Sequence, residues 1–252
     1  MRPDWVDPTG RYLGKCYEFE PSAGYNYRLV HFALSLGTTI VRAYRPDNPL
    51  DCLDFDFRST VFIQLPTFWK DWPLQWVKDD EGQDIRARLG IKYREASNKL
   101  FRAGPSSVPF EVLAADCNLT KIDPHDKVWG REPFVGDDFN VEVSPQVLSQ
   151  LETIIDFGIL PFDYWAPTLT LDVHSKSGKH FALSCRNPVY LQLPLDTKCE
   201  PFELAGPQDK LPLLERLGLE NAKHLNLLKS RANQMPIYIL CGEISMRNIQ
   251  RV

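Results

Sequence analysis

The chain has 252 residues, of which 43% are hydrophobic and 25% are charged, and its formal net charge is -4 at pH 7. These values are ordinary for a globular protein and argue against a disordered or fibrous chain. The N-terminal residues lack the apolar core of a secretory signal, and the longest largely apolar run, 29–36, is far too short to cross a bilayer. We therefore expect a cytoplasmic protein without a membrane partner.

The first strand predicted along the chain carries a pair of carboxylates. Over 53–58, apolar residues alternate with Asp54, Asp56 and Arg58, which is the period of a strand with one buried face. Asp54 and Asp56 then share a face, and paired carboxylates can hold a magnesium ion for phosphoryl chemistry. Alternation alone produces such pairs more often, so a solvated strand face is the commoner explanation.

Three tryptophans, Trp69, Trp72 and Trp76, lie close together and are followed by a run of basic residues. The basic residues are Arg86, Arg88, Lys92, Arg94, Lys99 and Arg102. Over 85–94 the charged positions alternate with apolar ones, which predicts a strand with one basic face. Guanidinium groups bind phosphate and indole rings stack on bases, so these residues predict contact with nucleic acid or another polyanion. A plain solvated face, paired with the acids at 79–81, and an acidic protein partner are the alternatives.

A further alternating strand is predicted at 139–143, and capping signals directly after it predict a helix over 145–157. Ser144 is a good N-cap, Pro145 suits the first helical position and Gly158 supplies a stop. The apolar residues between the cap and the stop fall on one helical face.

A hairpin is predicted over 171–185, with a three-residue loop at 176–178 that ends in glycine. Keeping the apolar residues on one face sets His174 opposite His180, with Asp172 on the same face. Two imidazoles and a carboxylate are a ligand set for zinc or iron, which makes these residues a weak candidate metal site. An exposed polar face is the favoured explanation, and no cofactor is predicted.

The last elements are two strands and two helices. Strands are predicted at 189–193 and at 236–241, and leucine spacing over 209–231 predicts two short helices broken near Gly218. The predicted fold is therefore α+β, with an antiparallel or mixed β-sheet core, a few short helices and a helical C-terminal segment.

Proline and glycine density at 201–209 suggests a boundary in the chain. It would separate a β-rich α+β domain, 1–205, from a small helical segment with a final strand, 206–252, packed on the same domain. No internal repeat is expected.

Six widely spaced cysteines without a C-x-x-C pair predict reduced core thiols, and the sequence has no nucleophile elbow, phosphate loop or zinc-protease motif. We therefore expect a non-enzymatic binding or adaptor protein, a subunit of a larger assembly that contacts nucleic acid and protein partners. One alternative is a small metal-dependent hydrolase using Asp54 and Asp56, or His174, His180 and Asp172. The other is an inhibitor module that binds only protein.

Overall fold

A computed structural model gives the structure over residues 11–16, 24–33, 37–48, 51–77, 82–90, 98–104, 109–122, 139–160, 168–194, 198–232 and 235–249. Fifteen strands of one antiparallel sheet and three short helices form most of this part of the chain. No helix within these ranges is long and apolar enough to cross a membrane.

Strands outnumber helices throughout the described chain. In chain order the strands are β1 (Arg11–Lys15), β2 (Asn26–Ala33), β3 (Thr38–Tyr44), β4 (Cys52–Pro66), β5 (Phe68–Lys70), β6 (Gln75–Val77), β7 (Lys99–Ala103), β8 (Phe110–Ile122), β9 (Phe139–Val141), β10 (Leu151–Leu160), β11 (Thr168–Ser175), β12 (His180–Pro194), β13 (Glu203–Leu204), β14 (Asn226–Ala232) and β15 (Met235–Ile249). The helices are α1 (Gly82–Arg88), α2 (Pro145–Leu148) and α3 (Pro207–Arg216). The segments predicted as strands at 53–58, 139–143, 189–193 and 236–241 overlap β4, β9, β12 and β15, and the predicted hairpin overlaps β11 and β12, so these predictions are confirmed.

The fold is mostly antiparallel β-sheet, so the predicted α+β class with a helical C-terminal segment is wrong. After α3 the chain forms β14 and β15. The second helix predicted there coincides with β14, where the neighbours Leu227 and Leu228 are both buried, one beside α3 and the other in the main core. A strand buried on both faces has no alternation to reveal it. The division of the chain at residue 205 stays a prediction.

The helix predicted over 145–157 is wrong after its first turn. α2 begins at the predicted cap, Ser144, but ends at Leu148, and the chain continues as β10. Against β11, this strand shifts register twice, beside Leu151 and beside Ile154. Each bulge adds a residue, so side chains at a helical spacing of three reach one face of a strand.

The same chain path occurs twice in the sheet. In a first repeat, 11–122, the strands β2, β3, β4, β7 and β8 correspond to β10, β11, β12, β14 and β15 of a second repeat, 139–249. In both repeats a helix precedes the penultimate strand, and a short first strand pairs with the last one, β1 with β8 and β9 with β15. The strand order β13-β14-β15-β12-β11-β10-β2-β3-β4-β8-β7-β6 therefore reads the same from either end once equivalent strands are matched.

The sequence contains this repeat, contrary to our expectation. Residues 52–77 align without gaps on 180–205, at a constant offset of 128 and with seven identical residues out of 26. The clearest match is VFIQLP at 61–66 with VYLQLP at 189–194.

A bulge in each long strand lets the two repeats join. β4 pairs with β3 up to Phe57 and, beyond Ser59, with β12. β12 makes the equivalent change beyond Asn187, from β11 to β4. Ser59 and Asn187 both have a left-handed backbone, with φ of 47° and 50°. Because β2 also pairs with β10, the strands β2-β3-β4-β12-β11-β10 form a closed circuit, and the main apolar core takes side chains from both repeats.

The two longer helices, α1 and α3, each cover an apolar cluster, and the two clusters are at equivalent places in the two repeats. α1 adds Ile85 to the cluster around Phe62, and α3 adds Leu213 and Leu214 to the cluster around Tyr190. Phe62 and Tyr190 are equivalent positions of the two repeats, so the helices have equivalent structural roles.

Two glutamines mark the centre of the junction. Gln64 of β4 lies directly opposite Gln192 of β12. Gln64 Nε2 donates to the carbonyl oxygen of Pro109 at 2.8 Å, and Gln192 Nε2 donates to that of the equivalent Pro236 at 2.9 Å. Each glutamine thus fastens its long strand to the neighbouring strand of the same repeat.

Cys16 and Cys117 form a disulfide between the end of β1 and β8. The prediction that all six cysteines are reduced is therefore wrong for this pair, because the two half-cystines meet only when β1 pairs with β8. The four free thiols are Cys52, Cys185, Cys199 and Cys241.

Replacing Gln64 or Gln192 with Leu should lower the free energy of unfolding by about 1 to 2 kcal/mol each, because a proline carbonyl loses its donor. Urea unfolding would measure both losses. Gln75→Leu, at an exposed position on β6, is the matched control. Losses no larger than that of the control would contradict a structural role for the glutamine pair.

Candidate functional site

The segment predicted as a basic strand begins as a helix. Residues 82–88 form α1, so the strand prediction over 85–94 is wrong for the part that the structure describes. Ile85 and Leu89 are four residues apart and pack in the same cluster, which is a helical spacing hidden within the alternation. Gly90, with a φ of 67°, follows the helix as Gly218 follows α3 with the same angle.

The predicted basic residues do not gather on one face. Arg86, on α1, donates to the carbonyl of Asn98. The side chain of Arg88 is half-buried at the last turn of the same helix. Lys92 and Arg94 lie outside the described residues.

The remaining two predicted cations lie on β7, three residues apart and therefore on opposite faces of the strand. Lys99 Nζ donates to the carbonyl oxygen of Ala115 at 3.3 Å, and Arg102 forms an ion pair with Glu111 at 2.8 Å. Both cations are thus engaged within the protein.

Of the three predicted tryptophans, one is clearly exposed. Trp69 is buried and stacks on Tyr27, with ring centroids 5.3 Å apart. Its Nε1 donates to the carbonyl oxygen of Trp72 at 2.8 Å, and the side chain of Trp72 is 48% exposed. Trp76 is half-buried against the main core.

An exposed aromatic and basic surface lies on β5, which ends two residues before the exposed Trp72. In β5, Phe68 is 45% exposed and Lys70 is exposed on the same face, with Lys70 Nζ 5.9 Å from the Phe68 ring centroid. β5 pairs with β2, which sets Phe68 opposite Arg28. We call Arg28, Phe68, Lys70 and Trp72 the aromatic–basic patch. The sequence analysis selected only Trp72 of this set.

The fold does not require the aromatic rings of the patch. At the equivalent positions of the second repeat, Phe68 is replaced by Asp196 and Trp72 by Glu200. The backbone pairing is nevertheless retained, because Lys198 bridges to β10 as its equivalent Lys70 pairs with β2. Comparing the two repeats in the sequence would have marked Phe68 and Trp72 as departures, along with other differing positions such as the buried Trp69, which corresponds to Thr197.

The Asp54 and Asp56 pair is engaged by arginines. Asp54 accepts two hydrogen bonds from Arg42, at 2.8 and 3.0 Å, and Asp56 accepts from Arg58 Nε at 2.7 Å. Burial raises the pKa of Asp56, and the neighbouring Arg58 opposes that rise. Bidentate pairing with Arg42 occupies both oxygens of Asp54 that a magnesium ion would need, whereas Asp56 accepts from Arg58 through Oδ2 alone and its buried Oδ1 has no hydrogen-bond partner among the described residues.

The predicted register of the β11–β12 hairpin is confirmed, with His174 opposite His180 and the loop closed at Gly178. His174 Nε2 lies 2.7 Å from His180 Nδ1, and Asp172 Oδ1 lies 3.9 Å from the same His180 nitrogen. A hydrogen bond between the rings occupies nitrogens that a metal would need. Within the described part of the chain, no three His, Cys, Asp or Glu side chains are arranged to hold a metal ion.

A buried histidine lies on β2, three residues from Arg28. Burial lowers the pKa of His31 from 6.5 to about 4. The imidazole is therefore neutral at pH 7, and the positive charge of this region comes from Arg28 and Lys70.

The His31 pKa predicts a dependence of stability on pH. Between pH 6.5 and 4 the unfolded chain binds a proton that the folded chain does not, so the His31 contribution is complete above pH 6.5 and is lost as the pH falls towards 4. The loss should reach about 3 kcal/mol. Asp56 acts in the opposite direction, because its pKa is raised.

Urea unfolding of wild type and His31→Gln across this interval separates the two contributions. The variant should show a shallower fall in stability than wild type, since it lacks the imidazole but keeps Asp56. Parallel curves for the two proteins would refute the neutral state of His31.

Comparison with known proteins found no relatives. No protein-family model matches the chain, and no curated protein or solved structure matches it either. Function is therefore inferred from the chemistry of the described side chains.

Proposed function

We propose that this protein is a non-enzymatic binding protein that binds single-stranded nucleic acid through the aromatic–basic patch. The observation that carries the proposal is the exposure of Phe68 and Trp72 beside two cations, at positions where the second repeat has acids. The fold does not depend on a ring at these positions, since the second repeat has acids there in its sequence and Lys198 still bridges to β10. A ligand that covers the rings accounts for them.

Single strands fit the patch better than duplexes. Aromatic side chains stack on bases of any identity, but only where the bases are not already stacked in a helix. Lys70 lies beside the Phe68 ring, and the half-buried Arg28 lies opposite Phe68 on β2, so a base on that ring brings its phosphates near both cations. The overall charge of -4 restricts attraction for an anion to local surfaces of this kind.

Membership in a larger assembly and a cytoplasmic location remain part of the proposal. Reduced thiols favour the cytoplasm, but Cys16 and Cys117 are joined and lend that location no support. The hydrolase alternative gains no support from the arginine-bound carboxylates or from the hydrogen-bonded histidines. A protein-binding inhibitor module would use the same exposed rings, and binding assays separate it from the proposal.

Phe68→Ala and Trp72→Ala should each weaken binding of a dT or U oligomer of about 15 nucleotides by roughly 1 to 3 kcal/mol, the usual value of one base on one ring. Fluorescence anisotropy of a labelled oligomer at low salt measures the change. Leu204→Ala and Leu211→Ala are matched controls, because they remove exposed apolar side chains from the second repeat.

Three outcomes would contradict the proposal. The wild type could fail to bind any single strand, or both aromatic variants could bind normally. In the third, Arg86→Glu with Arg88→Glu abolishes binding while Phe68→Ala does not, which would favour the surface predicted from the sequence. If another protein co-purifies with this chain and the chain has no affinity for oligomers, the inhibitor alternative is favoured.

The salt dependence of binding counts the cations that contact phosphate. Two cations on a single strand predict that log K falls against log salt with a slope of about -1.4, whereas six cations predict about -4. Anisotropy titrations between about 50 and 200 mM salt distinguish the two values. Lys70→Gln should reduce the slope by about 0.7, and a slope that is unchanged in this variant would exclude Lys70 from phosphate contact.

A further inference from the structure

Asn26 lies on the same face of the sheet as the aromatic–basic patch. It is on β2, directly opposite Lys70 of β5 and two residues before Arg28, which lies opposite Phe68. Side chains two residues apart on a strand share a face, and directly opposed residues do so as well. Asn26 is therefore the diagonal neighbour of Phe68, with about 7 to 8 Å between the two Cα atoms. Its side chain is half-buried, as that of Arg28 is.

Asn26 supplies a hydrogen-bonding group that the cations of the patch lack. Lysine and arginine side chains only donate hydrogen bonds, which suits phosphate oxygens because these only accept them. The edges of a base carry donors as well as acceptors, and an asparagine amide matches both, with an oxygen that accepts and a nitrogen that donates. A base on the Phe68 ring therefore finds partners for its phosphates in the cations and a partner for its edge in Asn26.

The pairing of β5 with its neighbour does not need this amide. At the equivalent place in the second repeat, Thr153 bridges to Lys198 as Asn26 pairs with Lys70. The same repeat has an acid, Asp196, where the first repeat has its exposed phenyl ring. The asparagine and the ring therefore occur together in the first repeat, and the second repeat keeps the lysine without either of them.

We propose that Asn26 gives the aromatic–basic patch a preference for adenine. This inference rests on the proposed function, because it specifies which base the same site prefers. A purine is wider than a phenyl ring, so a purine stacked on Phe68 extends towards the diagonal Asn26, whereas a pyrimidine covers little more than the ring. Adenine carries its amino donor between two ring-nitrogen acceptors, so either edge can form a pair of hydrogen bonds with the amide. The N7 and O6 edge of guanine has acceptors only.

The test uses dT oligomers of about seven nucleotides, either plain or with one central adenine, guanine or cytosine, on the full-length protein. In fluorescence anisotropy, wild type should bind the adenine-containing oligomer about tenfold more tightly than plain dT. Asn26→Ala should bind both with the affinity of wild type for plain dT. Asn26→Asp keeps the size of the side chain but loses its donor, so it should lose the preference too. Asn48→Ala, at an exposed position between β3 and β4, is the matched control and should keep the preference.

Equal affinity of wild type for plain and adenine-containing oligomers, or a preference for adenine that persists in Asn26→Ala, would overturn the inference. A preference for guanine would overturn it as well, because it would indicate that Lys70 rather than Asn26 contacts the base. If Phe68→Ala weakens binding of every oligomer while Asn26→Ala changes nothing, the patch binds nucleic acid and only the base preference is wrong. If wild type binds none of the oligomers, both proposals are wrong. Thermal unfolding of each variant checks that the fold is intact.

Discussion

The antiparallel pairing of β4 with β12 is the constraint on which the rest of the structure depends. Each of these long strands keeps one neighbour along its length and exchanges the other at a bulge, so a short ladder joins the two repeats, which β2 and β10 also connect. The exchange requires a left-handed backbone at Ser59 and Asn187, a conformation that residues other than glycine rarely adopt. That local cost is offset because both repeats then contribute to one apolar core.

Two equivalent repeats in one chain allow one of them to specialise. The shared framework includes the glutamine junction, the helix-covered outer clusters and the bridge made by Lys70 or Lys198. Features restricted to one repeat contribute little to that framework, and they include the exposed rings of the first repeat and the histidine pair of the second. Because no relatives were found, this internal comparison takes the place of an alignment in separating residues that maintain the fold from residues open to function.

Alternation was reliable where a strand has one buried face, and it even predicted the register that sets His174 opposite His180. It failed where bulges change the period, as in β10, and where both faces are buried, as at Leu227 and Leu228. The repeat was missed because the sequence identity between the two repeats is low and the number of residues that separates equivalent positions changes from strand to strand. The three tryptophans were identified from the sequence, but which of them is exposed was not, because the burial of Trp69 depends on Tyr27 of a distant strand.

The junction also constrains how the chain assembles during synthesis. β4 is complete more than 110 residues before β12 begins, so the first repeat leaves the ribosome with an open strand edge beside Ser59. Another copy of β4 offers nearly the same side chains as β12 in an antiparallel register, since glutamine already faces glutamine at its centre. Pairing of β4 between nascent chains is therefore expected to compete with correct closure, a failure mode typical of repeat proteins.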